Sequence, residues 1–312
     1  MIDYGDGVSA IDSGLFRAEF DACYLIVEKG RAAFVDVGTN HSVPRLLAAL
    51  AQQNIAPDCV DYVILTHVHL DHAGGAGALM QKLPSARAII HPRGVPQMVD
   101  PSKLVAGATA VYGAEEIERS YGTLVPIDAS RVDVADDNVE IDLAGRKLLC
   151  IDSPGHARHH MAIYDAKSRG FFTGDTFGLS YREFDTDQGP FILPTTSPVQ
   201  FEPDALHASI DRMLGFNPEQ MFLTHFGRIR DVRRCADDLH EQIDAMVQIA
   251  HAHAADPDRH EQIKKAFADL YISRAKAHGC AFTAERARDL LAMDIELNAQ
   301  GVAIWLDRQN RA

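Results

Sequence analysis

The sequence predicts an α+β fold that ends in a helical extension, and three observations carry that prediction. Beta-prone runs alternate with helix-spaced segments as far as about Arg234; the β signals then stop while apolar residues continue at helical spacing; and several of the strand-like runs end on a histidine or an aspartate. The division that follows is a catalytic domain over residues 1–234 and a helical extension over residues 235–312.

In chain order, residues 8–12, 22–28 and 31–37 read as short strands of an antiparallel meander separated by Gly14 and Lys29-Gly30. Residues 40–42 offer polar caps to a helix with Val43, Leu46, Leu47 and Leu50 on one stripe, stopped by Pro57. Tyr62-Val63-Ile64-Leu65 is a buried strand, residues 76–83 a helix and residues 86–91 the next strand. Residues 92–126 are expected to be irregular, with helical pieces near residues 115–120, as a cap or lid. Strand signals return at residues 131–134, 138–143 and 147–151, the last two joined at Gly145, and again at residues 161–164, 170–173 and 220–224. Residues 178–203, with Tyr181, Phe184 and Phe191, form a loop that is either an anchored surface segment or a wall facing substrate. Helices are expected over residues 204–214, around Leu239, Ile243, Met246 and Ile249, around Ile263, Phe267 and Leu270, and from an N-cap at Thr283 without interruption toward Asp307.

The 46% hydrophobic content of the 312 residues supports a sizeable core. Asp and Glu number 44 against 30 Lys and Arg, a formal charge of −14 that repels a phosphate backbone, so nucleic acid is not an expected partner. Five scattered cysteines without a C-x-x-C indicate neither a disulfide framework nor a thiolate metal site, and fit a reducing cytoplasm. The acidic start Met1-Ile2-Asp3-Tyr4-Gly5-Asp6 lacks a signal-peptide layout, and no apolar run reaches the roughly 20 residues that span a bilayer. A cytoplasmic protein with no membrane contact and a small-molecule substrate is expected, and a homodimer is compatible with the sequence.

Residues 66–75, Thr-His-Val-His-Leu-Asp-His-Ala-Gly-Gly, concentrate three imidazoles and a carboxylate directly after a strand. His156, Asp175 and His225 end later strands, giving seven N and O donors: His67, His69, Asp71, His72, His156, Asp175 and His225. Such a set suits two divalent ions, zinc foremost and iron or manganese as alternatives, with coordination positions left open for catalysis. In an extended segment His67 and His69 point to one side, while Asp71 and His72, across a turn, address a second ion.

These segments, T-H-V-H-L-D-H-A-G-G with the later S-P-G-H, T-G-D-T and L-T-H-F, resemble the metallo-β-lactamase superfamily over about residues 8–230. The resemblance implies a four-layer αββα sandwich with the site at one edge of its two sheets. It implies His67, His69 and His156 on a first metal, Asp71, His72 and His225 on a second, and Asp175 bridging them. The activity implied is a dinuclear hydrolase in which a hydroxide shared by the two metals attacks a small ester, lactone or thioester. Asp71 orients that hydroxide or carries a proton to the leaving group, and Tyr181 is a candidate donor to the oxyanion. The helical C-terminus is similar to glyoxalase II relatives, although their glutathione-binding basic and Tyr residues are not identifiable here. Alternatives on the same scaffold are a phosphodiesterase, or a mononuclear iron oxidoreductase resembling persulfide dioxygenases with His67, His156 and Asp175 on one iron.

Other groups carry weaker signals. His159 and His160 read as donors behind the metal ligands or as surface residues, and His91, His207, His240, His251, His253 and His260 as ordinary surface or core histidines. Arg158, Arg228, Arg230, Arg233 and Arg234 form either an anion-binding rim or a solvated helix start neutralised by Asp231, Asp237 and Asp238.

Overall fold

A computed structural model describes residues 1–197 and 199–309. The chain packs into two compact units: the first comprises Met1–Asp152, His159–Gly174 and Gln220–Arg228, the second Ser153–Arg158, Asp175–Glu219 and Ile229–Ala312.

The first unit is built on two mixed sheets. One has seven strands in chain order: β1 (Ile2–Asp3), β2 (Val8–Asp12), β3 (Ala22–Glu28), β4 (Arg31–Val35), β5 (Val60–Ile64), β6 (Arg87–Ile90) and β7 (Val132–Val134). It is antiparallel through β4 and parallel from β4 to β7. The other has six: β8 (Val139–Leu143), β9 (Arg146–Asp152), β10 (Met161–Asp165), β11 (Gly170–Gly174), β12 (Gln220–Leu223) and β13 (Gly227–Ile229). Its β8 to β11 meander is antiparallel, and β12 lies parallel to β11.

The strand period of two explains how one sheet serves two cores. On β3, Tyr24 and Ile26 join Leu148, Cys150, Ile163, Phe172 and Phe222 in a core shared by both sheets. Cys23 and Leu25, from the opposite face, pack with Val43, Leu46 and Leu50 of α1 (Val43–Gln52). Full burial of each large apolar side chain contributes roughly 1.5–3 kcal/mol.

The helix expected after residue 75 is present as α3 (Ala76–Met80), preceded by a short α2 (Leu70–Ala73), and the helical piece expected near residues 115–120 is α6 (Ala114–Tyr121). The expectation of an otherwise irregular stretch over residues 92–126 is corrected by α4 (Val95–Val99) and α5 (Ser102–Tyr112). The alanines and glycine of α5 give little contrast between its faces, so no helical period stood out; Leu104 and Ala108 pack beside Leu70, Ile117 and Tyr121.

The second unit contains α7 (Pro203–Leu214), α8 (Val232–Ala252), α9 (Arg259–Ala277), α10 (Ala284–Leu290) and α11 (Ala292–Gln309). Thr283 does cap α10, its hydroxyl accepting from the Arg286 N–H at 3.1 Å, but the helix expected to continue from it breaks at Leu291 (φ −103°, ψ 10°). Leu291 is fully buried, so packing at that residue overrides a continuous helical pattern. In the loop after Asp175 the aromatics Phe177, Tyr181, Phe184 and Phe191 are buried anchors, while Asp185, Asp187 and Gln188 are exposed. Among the described residues no helix is long and apolar enough to cross a membrane.

Between α9 and α11, Lys264 Nζ lies 2.8 Å from Glu296 Oε2, while Gln300 Nε2 and His260 Nε2 lie 2.8 and 2.9 Å from Oε1. Burial pushes the Glu296 carboxyl upward, but these three partners outweigh it and hold it at about 2, below the ordinary 4.5. A depressed acid stabilises the fold above its unfolded value and loses that stabilisation as pH falls toward the folded one. Wild-type protein should therefore lose unfolding free energy between pH 4.5 and about 2 through this cluster; in Glu296→Gln that part of the pH dependence should vanish, measured by denaturant unfolding across the acid range.

Candidate metal centre

Three strand ends of the first unit meet at one carboxylate. Asp36 follows β4, and its N–H donates to Ile64 O of the parallel neighbour β5 at 2.9 Å. Its side chain, 1% exposed, accepts from Thr66 N–H at 2.8 Å, Thr66 Oγ1 at 2.8 Å, Thr224 Oγ1 at 3.0 Å and His72 Nδ1 at 2.7 Å. Asp36 thus links the ends of β4, β5 and β12, and it fixes the His72 proton on Nδ1. No motif marks Asp36 in the sequence; its one local signal is a polar residue at a strand end just before Gly38.

The same logic sets the other histidines. A backbone carbonyl can only accept, so the 3.0 Å contact between His225 Nδ1 and Phe20 O places that proton on Nδ1. His72 Nε2 and His225 Nε2 then present lone pairs toward Asp71 Oδ2, at 3.7 and 3.4 Å. One donor atom from each of these three residues lies within 4.8 Å of the others. Thr66 spends its hydroxyl proton on Asp36 and accepts from His67 Nδ1 at 3.2 Å, so His67 Nε2 is the free-electron nitrogen, 2.8 Å from His69 Nδ1. His159 and His160 are buried, with rings 6.1 and 4.9 Å from that of His67, and are not surface residues. Behind this set, burial drives the Asp21 carboxyl up to about 7, against the pull of His225 and His72.

In the second unit His156 and Asp175 come together. His156 Nδ1 donates to Thr195 O at 3.2 Å, leaving Nε2 3.2 Å from Asp175 Oδ2. Gly155 makes the turn: its φ is +130°, and a Cβ there would sit 2.4 Å from Leu206 Cα. Thr195 is in turn held by its neighbour, whose N–H donates to Asn298 Oδ1 of α11 at 2.7 Å. Asn298 Nδ2 bonds Pro194 O at 3.1 Å and Tyr271 Oη at 2.8 Å. A methyl on Gly301 would meet Thr196 Oγ1 at 2.0 Å, so α11 approaches this loop as closely as a glycine allows.

Tyr181, expected to donate to a reacting oxygen, is 2% exposed and donates to Asp294 Oδ1 at 3.1 Å. Its one hydroxyl proton is committed within the helical unit. Four of these arginines are engaged locally: Arg234 with Asp231 and Asp238 at 2.6 and 2.7 Å, Arg158 with Glu202 at 3.1 Å, Arg228 with Tyr4 O at 2.9 Å and Arg233 with Asn217 Oδ1 at 3.1 Å.

A family model for the metallo-beta-lactamase superfamily matches residues 18–225. The chain belongs to that superfamily. It is 26% identical over 72% of its length to a metallo-beta-lactamase fold-containing protein of Sulfurisphaera tokodaii, covering 79% of that protein. It is 27% identical over 76% of its length to the hydroxyacylglutathione hydrolase of Aeromonas hydrophila, of which it spans 66%. Among solved structures, an archaeal superfamily protein from Sulfolobus tokodaii aligns over 96% of this chain and 98% of its own, with TM-score 0.68 and 22% identity. A metallo-beta-lactamase family protein from Thermus thermophilus aligns over 99% and 95%, with TM-score 0.66 and 18% identity. At those identities the structural likeness establishes the fold: the αββα class of the superfamily, here with additional C-terminal helices.

The donor chemistry fits the divalent metals of this superfamily. Neutral imidazoles with their lone pairs turned toward carboxylates are what borderline divalent ions bind, and a hydrogen-bonded second nitrogen is the usual support for such a ligand. Asp36→Asn should weaken metal binding by the Asp71, His72 and His225 set by about 10- to 100-fold, read by titration against a chromophoric chelator. Asn298→Ala leaves the Thr196 N–H and Pro194 carbonyl without their partner and should cost about 1–3 kcal/mol in denaturant unfolding, with faster metal loss on dialysis.

Proposed function

We propose that the chain is a dinuclear metal-dependent hydrolase acting on a small ester, lactone or thioester. The observation that carries this reading is the orientation of four histidines. His67, His72, His156 and His225 each have Nδ1 bonded to a fixed group, which leaves Nε2 as the ligand nitrogen. His67, His69 and His156 are assigned to one ion, Asp71, His72 and His225 to the other, and Asp175 to both. Held by these residues, two divalent ions, zinc foremost, would supply a water acidified toward a pKa of about 7 and a Lewis acid for the scissile carbonyl.

The chain's own residues do the rest. The Asp71 side chain is 27% exposed, whereas those of His72 and His225 are almost fully buried, so it is the carboxylate of its set best placed to orient water and exchange a proton with the leaving group. No Ser or Cys nucleophile is called for; burial pushes the thiols of Cys150 and Cys235 up to about 12. Tyr181 is read as an anchor of its loop. The name of the Aeromonas relative, a hydroxyacylglutathione hydrolase, supports the thioester and ester part of the range.

Metal quantification followed by a panel of lactones, thioesters, phosphodiesters and aryl sulfates tests the reading. Two zinc ions at this centre in each chain, with turnover of an ester, lactone or thioester, are expected, and Asp175→Ala should abolish turnover and lower the content at both positions. One iron per chain with oxygen consumption would replace the reading with an oxidoreductase, and turnover of phosphodiesters alone would replace the substrate class.

A further inference from the structure

A second histidine cluster lies within the helical unit, outside the donor sets described above. His207 of α7 and His240 of α8 meet edge to edge with ring centroids 4.9 Å apart and planes at 12°, and their Nδ1 atoms are 2.6 Å from one another. The far nitrogen of each ring faces a carboxylate: His207 Nε2 is 3.2 Å from Asp244 Oδ1, and His240 Nε2 is 3.2 Å from Asp211 Oδ1. The pairing is crossed. Asp211 stands one helical turn beyond His207 on α7 and Asp244 one turn beyond His240 on α8, yet each aspartate serves the imidazole of the other helix.

Ionised carboxylates only accept, so each aspartate holds a proton on the Nε2 it faces. Both Nδ1 atoms are then left with lone pairs, pointed at each other at hydrogen-bond distance. That arrangement is repulsive unless a cation stands between the two nitrogens. We propose that His207 and His240 bind one divalent transition-metal ion, zinc, copper or nickel rather than magnesium or calcium, and that the ion ties α7 to α8. Two imidazoles with a carboxylate behind each reproduce the support that metal-bound histidines usually receive. At zinc–nitrogen bonds of about 2.0–2.1 Å in tetrahedral geometry the two nitrogens stand roughly 3.3 Å apart, so the rings need to part by less than about 1 Å and to tilt out of their head-on alignment until both lone pairs meet at the ion. Both histidine side chains are 25% exposed, which gives an ion access from solvent and leaves its other positions to water.

The test compares full-length protein, loaded at its main centre, with His240→Ala and His207→Gln by equilibrium dialysis against buffered zinc and metal quantification. The wild type should hold one zinc more per chain than either variant, with the same turnover of whichever substrate the panel identifies. The Asp211→Asn, Asp244→Asn double variant should bind that ion about 10- to 100-fold more weakly, and an unchanged thermal midpoint in zinc-free buffer verifies the fold of each variant. Equal zinc content in wild type and both histidine variants would overturn the proposal and leave the pair sharing a proton only. The comparison is a difference between variants, so it stands whether the main centre holds two ions or one.

Discussion

The Asp36 carboxylate is the interaction on which the first unit's site depends. A buried ionised group is costly unless donors surround it, and Thr66, Thr224 and His72 provide them at 2.7 to 3.0 Å. Because the two threonines follow the ends of two other strands, satisfying one carboxylate fixes where β5 and β12 stop relative to β4. The chemistry is set by the same bonds. Asp36 chooses the tautomer of His72 directly, and through the Thr66 hydroxyl it chooses that of His67.

The helices of the second unit do a comparable task by a different route. The loop between Asp175 and α7 supplies the carbonyl that orients His156, and the regular structure among its described residues is slight: one 3-10 turn at Arg182–Phe184 and isolated bridges pairing Leu179 with Leu193 and Thr186 with Gly189. Its shape is held from α11, through Asn298 to residues 194 and 196 and through Asp294 to Tyr181. A fully buried asparagine with its donors and acceptor engaged is a specific clamp, since any apolar replacement leaves backbone groups without partners. The C-terminal helices are thus structural supports of a loop that touches His156.

The order of the strands and the existence of a donor-rich centre were legible because both are local signals. Beta-prone runs such as those of β3, β9 and β10, and a donor immediately after a strand, are visible within ten residues of chain. The helices of residues 92–126 were less legible because small residues in α5 blur its faces, and the break at Leu291 was hidden because burial of one side chain leaves no periodic trace. The crossed pairing of His207 and His240 was equally invisible: each is an unremarkable helical histidine until α7 and α8 are placed side by side.

By itself the sequence determined which side chains are available as donors, the strand ends that carry them and the superfamily, since spacing within a segment decides these. The tertiary structure alone decided which nitrogen of each histidine holds the proton, that Tyr181 spends its hydroxyl on Asp294, and that Asp36 and Asn298 are the supports. The physical reason is distance along the chain. Asp36 bonds residues 66, 72 and 224, and Asn298 bonds residues 194 and 271 and the N–H of residue 196; no local pattern reports a hydrogen bond whose two ends lie tens to hundreds of residues apart.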